Sequence, residues 1–265
     1  MRLPIITFLT FTALTVAITG FWDKLSSWIL PNTVWGLYSR EFFENVLVEA
    51  HGAIIDLLVI GVVLYWFEHR RDTLVQIRHH QELLADLRSY RAPDSSFRTL
   101  GTVKRLLELG AKELHLSELS FAELNIDGLN LQNCNLHGAN FANSRLSRVL
   151  IENCSCDAAI FVGTKFEHMS MLNSSFMRAK FHDAVLKGAN FRSCQVEGAD
   201  FKNANLRSSN FGQVDCRGAN FSGADLRSAN FIGATNLTVQ MILEASNIKF
   251  LKSDDPAIQA AVASA

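Results

Sequence analysis

The stretch GANFSGADLRSANFIGA, residues 218–234, returns an apolar side chain every five positions, at Phe221, Leu226 and Phe231. Each follows an Asn or Asp, and two positions before it stands an Ala. A period of five is neither the 3.6 of an α-helix nor the 2 of a strand. Followed backwards, the register holds at positions 116, 121 and so on to 231, twenty-four repeats without an insertion, and every occupant is apolar. Of the residues two places before these, 17 are Ala, Ser, Thr or Cys; of those one place before, 12 are Asn or Asp. We label the central apolar residue i. Five residues per side imply a polygonal coil with i and i−2 inside, the large i residues filling the axis and the small i−2 residues the space left over. Stacked coils exchange backbone hydrogen bonds and leave free edges only at the two ends.

The units ADFKN, ANLRS, ANFSG and ADLRS, between residues 199 and 228, follow the pattern A-(D/N)-(L/F)-x-x. On them the chain resembles the pentapeptide-repeat family. The resemblance implies an all-β fold, a right-handed quadrilateral β-helix with four repeats and twenty residues per turn. Twenty-four repeats then make six turns, about 29 Å of rod at ~4.8 Å per turn. Phe121, Phe141, Phe161, Phe181, Phe201 and Phe221 are spaced by twenty and should stack in one axial ladder.

Composition narrows the function. Lys plus Arg number 25 and Asp plus Glu 26, a net charge of −1, which suits neither a polyanion binder nor a polyanion mimic. Some members of the family resemble a DNA duplex and inhibit topoisomerase with a strongly acidic rod, but residues 112–231 here carry 12 basic and 12 acidic residues. No nucleic-acid partner is expected. The five cysteines fall at i (Cys156, Cys216) or i−2 (Cys134, Cys154, Cys194) and read as buried free thiols, which suit a reducing cytoplasm. They lack metal-ligand spacing. His115, His137, His168 and His182 take outward positions without a catalytic constellation, and there is no P-loop, GxGxxG or HExxH. No catalytic residue, metal or cofactor is expected, and the protein is read as a non-enzyme.

The N-terminus is of another kind. Residues 3–22 carry no charge, enough to span a ~30 Å bilayer core; a cleaved signal peptide is the alternative, though no clear A-x-A site follows. A second apolar segment, residues 46–67, contains Glu49, His51 and Asp56. Glu49, Gly52, Ala53 and Asp56 share one helical face, which reads either as an ion or proton path or oligomer seam, or more simply as headgroup-zone residues with Asp56 bonded to a threonine of the first helix. The simpler reading is favoured. Arg70, Arg71 and Arg78 follow the second span, and the loop 23–45 holds only Lys24 and Arg40, which places both ends and the repeats in the cytoplasm, as in a bacterial inner-membrane protein. Trp22, Trp28, Trp35, Tyr65 and Trp66 fit interfacial belts.

Four parts result: a transmembrane hairpin over 1–67, a helical connector and cap over 68–112, the β-helix over 113–235, and a cap helix with a loose tail over 236–265. In the connector, Leu74, Ile77, Leu84 and Leu87 have a/d-like spacing; Ser95 or Ser96 should cap a helix that Gly110 closes. One side of the rod displays Arg145, Arg148, Lys165, Lys187, Arg207 and Arg227 against Asp127, Glu167 and Asp225, a net +3, with Lys187, Arg207 and Arg227 in a column. Leu150, Ile160, Val162, Leu172, Met177 and Val185 are apolar at outward positions in the middle turns. Either feature could contact an anionic membrane surface or an unidentified protein. The function expected is a membrane-tethered binding scaffold, with oligomerisation through the membrane helices open. The alternative is a component of an ion-conducting or transport assembly using Glu49 and Asp56.

Overall fold

The computed structural model describes residues 2–29, 40–90 and 92–264, and its contacts divide the chain into two units, Met1–Leu74 and Val75–Ala265. The first unit contains α1 (Arg2–Gly20), α2 (Trp22–Ile29) and the start of α3 (Arg40–Ser89), whose end belongs to the second. The loop expected over 23–45 is therefore helical at both ends; residues 30–39, Trp35 among them, lie outside the described residues. Among the described residues, α3 is the one helix long and apolar enough to cross a membrane, and α1 adds a shorter apolar stretch, Phe8–Gly20. Residues 57–67 of α3 are exposed on every side, whereas a helix apolar all round belongs in a core or a bilayer.

Asp56 corrects an expectation. Among the described residues its carboxylate has no threonine partner: the hydroxyls of Thr10, Thr12, Thr15 and Thr19 bond back to carbonyls four residues earlier, at 2.8–2.9 Å. The half-buried face of α3 carries Phe43, Leu47, Ala50 and Ile54. At 100° per residue, Glu49 and Asp56 lie on the opposite face, exposed.

In the second unit, α4 (Ser95–Glu108) and the end of α3 close the head of the rod. Leu84 of α3 and Leu100, Val103 and Leu106 of α4 are buried in the same core as the first coil. The N-cap of α4 is Asp94 rather than either serine; Ser95 and Ser96 are buried in its first turn, and Ser96 Oγ meets Ser120 Oγ at 2.8 Å. Gly110 closes the helix as expected, with φ +75°. The large Leu114, Leu119, Leu124 and Leu129 at i−2 of the first coil are all buried. A terminal coil has no neighbour below it, and these longer side chains fill that space against the cap.

From residue 114 onward the chain coils with a twenty-residue period. Parallel strands β1 (Asn125–Asp127), β3 (Arg145–Ser147) and β5 (Lys165–Glu167) stack on one side, and β2 (Asn130–Gln132), β4 (Leu150–Glu152) and β6 (Ser170–Leu172) on the next. Single bridges twenty residues apart continue the stacking elsewhere, and backbone hydrogen bonds of 2.6–3.1 Å join each coil to the next. The predicted ladder is present: Phe121, Phe141, Phe161, Phe181, Phe201 and Phe221 stack at 4.7–5.4 Å between ring centroids, within 9° of parallel. From the opposite side Phe191, Phe211 and Phe231 form a second ladder that meets the first edge-to-face at 5.5–5.9 Å. These steps are close to the spacing of stacked strands, so the backbone sets the stacking distance and the crossed ladders supply the favourable edge contacts.

The corners explain the rest of the repeat. At all twenty-four i+2 positions φ is positive, between +49° and +72° up to Gly223 and +74° at Gly233. At most corners the N–H of residue i+3 donates to the carbonyl of i, for example Ala139 to Leu136 at 3.0 Å, a β-turn with a left-handed third residue as in type II. Thirteen of the twenty-four corner residues are Gly or Asn, the types that adopt this conformation at least cost. The Asn and Asp residues at i−1 have a matching task. In ten of the twelve, Oδ1 accepts the N–H of i+1, which the turn leaves without a partner. The other two, Asn125 and Asn130, begin strands β1 and β2.

The C-terminal end is more ordered than expected. After Phe231, α5 (Val239–Leu243) replaces one side, and the coil continues two residues out of step, with Asn247 bridging Asp225 and Lys252 bridging Asn230. A hydrogen bond from Asn236, then one from the backbone of Arg217, hold the Asp215 carboxyl below the usual carboxylate range at this junction. In place of a loose tail, α6 (Pro256–Ala263) starts at an Asp255 cap and buries Ile258.

These corners make a graded prediction for thermal unfolding of the full chain. A methyl at Gly218 meets nothing nearer than 3.8 Å, so Gly218→Ala costs only the left-handed backbone, about 1 kcal/mol. At Gly223 the methyl would lie 2.3 Å from Asn203 Oδ1, the tip of an exposed side chain that can turn away, so Gly223→Ala also costs about 1 kcal/mol. Ala158→Gly, at φ +55°, stabilises by roughly 0.5 kcal/mol. A gain at either glycine, or a loss with Ala158→Gly, would contradict the corner geometry.

Candidate interaction surfaces

Surface recognition on this rod falls to side chains at i−1, i+1 and i+2, because the axis is filled. Half of the basic residues on the side predicted from the sequence pair within it. Arg145 pairs with Glu167 at 2.7 Å, Arg148 pairs with Asp127, and Arg207 lies 3.8 Å from Asp225. Arg227 sits 5.7 Å over the ring of Phe250. Lys187, Arg207 and Arg227 do form a backbone column, as Gly188 N–H donating to Arg207 and Ser208 N–H to Arg227 require. Lys165 and Lys187 are left exposed, without an ion pair among the described residues. Exposed ion pairs contribute little to stability, but they halve the charge this side offers a partner.

The apolar outward residues also do not form one patch. Leu150 and Leu172 share a side, as expected, flanking Ile151 and Met171 in register. Ile160 and Val162 flank Phe161 on the opposite side, Met177 adjoins Phe176 on the side between, and Val185 bridges Lys165 on the fourth. All are half-buried except Leu172, 37% exposed.

The surface that the sequence did not flag is a groove of about 660 Å³ between the end of α3 and α4. Leu83, Leu87, Tyr90, Phe97 and Gly101 line it, and Asp86, Asp94, Arg98 and Arg105 border it. Phe97 is 70% exposed. Arg98 donates from Nε to Asp94 at 2.6 Å and lies 5.7 Å over the Tyr90 ring, fixing one wall. Such a groove accepts an apolar side chain between charges of both signs. The available signal was Phe97, a large aromatic off the Leu100, Val103, Leu106 stripe of its helix.

Chemical sites are sparse. His182, expected to be isolated, lies 3.5 Å from Asp200 of the next coil and 3.6 Å from Asp183, with no nucleophile joined to it. Among the described residues no group of three or more His, Cys, Asp or Glu could hold a metal. All five cysteines are free and buried. Burial pushes up the thiols of Cys156, Cys194 and Cys216, the last to about 12; Cys154 is raised by its hydrogen-bonded neighbour Cys134 and by burial.

In the first unit, His51 Nδ1 contacts the Leu47 carbonyl at 2.7 Å, and Glu49 and Asp56 have no partner among the described residues. A second polar cluster escaped the sequence reading. Glu44 Oε1 accepts from Trp22 Nε1 at 3.1 Å and from Arg40 Nε at 2.9 Å, while Arg40 reaches Asp23 at 3.4 Å. It fastens the start of α2 to the start of α3, and only the folded chain brings residues 22 and 44 together.

Residues 130–201 and 159–240 match the family model described as a pentapeptide repeat region. No curated protein matches the chain. Among solved structures, a pentapeptide repeat protein of the Arabidopsis thaliana thylakoid lumen is 23% identical, over 43% of this chain and 65% of its own, with a TM-score of 0.29. One from the cyanobacterium Cyanothece is 19% identical over 51% of this chain and 88% of its own, TM-score 0.29. HetL from Nostoc, a pentapeptide repeat protein involved in heterocyst differentiation regulation, is 16% identical over 59% and 96%, TM-score 0.28.

Thiol titration checks the interior. At pH 8 a water-soluble disulfide reagent should find the native thiols protected, with five reacting per chain only in denaturant. Rapid reaction of Cys156 or Cys216 in the native protein would contradict a filled axis.

Proposed function

We propose that this chain, whose residues 130–240 form a pentapeptide-repeat region, is a membrane-tethered, non-catalytic scaffold that offers its rod and cap to a protein partner. The observation that carries the reading is α3. Leu57, Val59, Ile60, Val62, Leu64 and Phe67 are each more than half exposed, a pattern that water disfavours and lipid accepts. The same helix ends in Leu84 and Leu87, which pack on the core of the repeat unit. Residues 1–67 are thus the anchor, with α1 as the companion span and the repeats on the cytoplasmic side, as Arg70, Arg71 and Arg78 favour.

A protein partner fits better than an anionic membrane surface. Half of the six basic residues on that side pair with acids of their own chain, which leaves fewer free cations for phosphate or headgroup binding. The groove beside Phe97 and the exposed i+1 and i+2 side chains provide mixed polar and apolar contacts of the kind protein interfaces use. Phenylalanine ladders fill the axis, so binding falls to the outer surface and the cap.

Alkaline carbonate extraction tests the tether. The full chain is expected in the pellet, whereas a chain lacking residues 1–67 moves to the supernatant with its β-helix circular dichroism intact. Crosslinking in cells then captures the same protein partner with both chains, but more weakly with the untethered one. Release of the full chain by carbonate would overturn the membrane reading, and loss of capture in a Phe97→Asp variant would place the partner at the cap groove.

A further inference from the structure

Two of the free thiols are neighbours. Cys134 and Cys154 take the i−2 position at the same corner of successive coils. Asn135 and Ser155 beside them bridge in parallel, and Ser155 N–H donates to the Cys134 carbonyl at 3.0 Å. Backbones in that register lie ~4.8 Å apart, inside the roughly 4.4–6.8 Å of Cα separation that a disulfide spans. The side chains also lean the right way. An i−2 hydroxyl reaches back to the preceding coil: Ser144 Oγ donates to the Phe121 carbonyl at 2.6 Å and accepts from Leu124 N–H at 3.2 Å. Cys154 repeats this with sulfur, 3.4 Å from the Leu131 carbonyl and accepting from Cys134 N–H at 3.3 Å. Its sulfur therefore sits against Cys134 itself. Ser174 separates Cys154 from Cys194 in this column, while Cys156 and Cys216 lie in the axis. Cys134 and Cys154 are the one pair of cysteines stacked in adjacent coils.

A surface depression of about 340 Å³ opens at this corner, and Asn153, Cys154, Ser155 and Ser174 are in its lining. Hydrogen peroxide is small enough to enter where a bulky disulfide reagent is not. The hydrogen bond from the Cys154 side chain, working against burial, holds the Cys134 thiol down to about 7, which supplies thiolate near neutral pH. We propose that Cys134 and Cys154 form a reversible redox site, joined by a peroxide into a disulfide that staples neighbouring coils and released by a dithiol reductant. The Cys134 thiolate attacks a peroxide oxygen, the O–O bond breaks, and hydroxide leaves to take up the thiol's proton as water. Cys154 then attacks the sulfenic sulfur; the S–O bond breaks, and the departing hydroxide and the Cys154 proton make the second water. Two thiols and one peroxide thus give one disulfide and two waters. A dithiol reverses the step by exchange and is itself oxidised to its disulfide. Transient pairs of this kind are the form disulfides take in a reducing cytoplasm. The site is independent of the tether and of any partner.

The test uses the full chain, reduced, freed of reductant and treated with a slight excess of hydrogen peroxide. It is then denatured with a thiol-alkylating reagent present. Alkylated thiols should fall from five to three per chain, and fragmented peptides should show one intrachain link between Cys134 and Cys154. Dithiothreitol should bring the count back to five. Cys134→Ser and Cys154→Ser put at i−2 the residue that positions 144 and 174 already carry, so both should fold. Neither variant should lose a second thiol or yield a link, whereas Cys194→Ser should still form it. Five thiols remaining after peroxide, a link to Cys156 or Cys194, a crosslink between chains, or irreversible oxidation without a link would each overturn the site.

Discussion

A backbone that must turn a corner every five residues governs the second unit. Each corner places one residue in the left-handed region, and there are twenty-four of them in unbroken succession. The turn strands one N–H per side, which an Asn or Asp at i−1 accepts in ten sides. Only then can four short sides close, and closing them brings residues twenty apart into hydrogen-bonding distance. The phenylalanine ladders are a consequence: rings on one side are carried to stacking distance by the coil pitch, and the two ladders exclude water from the axis.

The same geometry restricts what this rod can recognise. Positions i and i−2 are inside, and much of i−1 is occupied with the turn. Contact with other molecules falls to i+1, to i+2 and to the two capped ends. Charged outward residues are stacked within reach of the next coil, so Arg145 at i−1, Arg148 at i+2 and Arg207 at i+1 find acids of their own chain before any partner arrives. A rod of balanced charge therefore presents shape and mixed contacts rather than a field, which is why a protein partner is the one proposed.

How much was legible in the sequence follows from how local each feature is. The five-residue period, the inward thiols and the Phe121 to Phe221 ladder depend on spacing alone and were readable. The corner signal was available too, since Gly or Asn fills thirteen of the i+2 positions, but it lies beneath the stronger apolar period. Surface pairing was not readable, because Arg148 meets Asp127 through a neighbouring coil. At the C-terminus the two-residue slip and α6 depend on what the last coil leaves uncovered, which Asp255 and Ile258 do not announce. Asp56 shows the opposite case. Its presence among apolar residues was plain, yet which side of α3 it occupied relative to the half-buried face needed the fold.

The most direct test of the four-sided register is a pair of deletions in the repeat region, compared by thermal unfolding. Removing residues 198–217 excises one whole coil and joins Glu197 to Gly218, which takes the corner of Gly198; the shortened rod should keep a cooperative transition, lowered only by the loss of one coil's contacts. Removing residues 213–217 keeps the period of five but rotates everything after it by one side. This breaks both ladders and misplaces the C-terminal cap, and the variant should be markedly less stable than the one missing four times as many residues. If the five-residue deletion were tolerated equally well, the coil would not be four-sided in the way described.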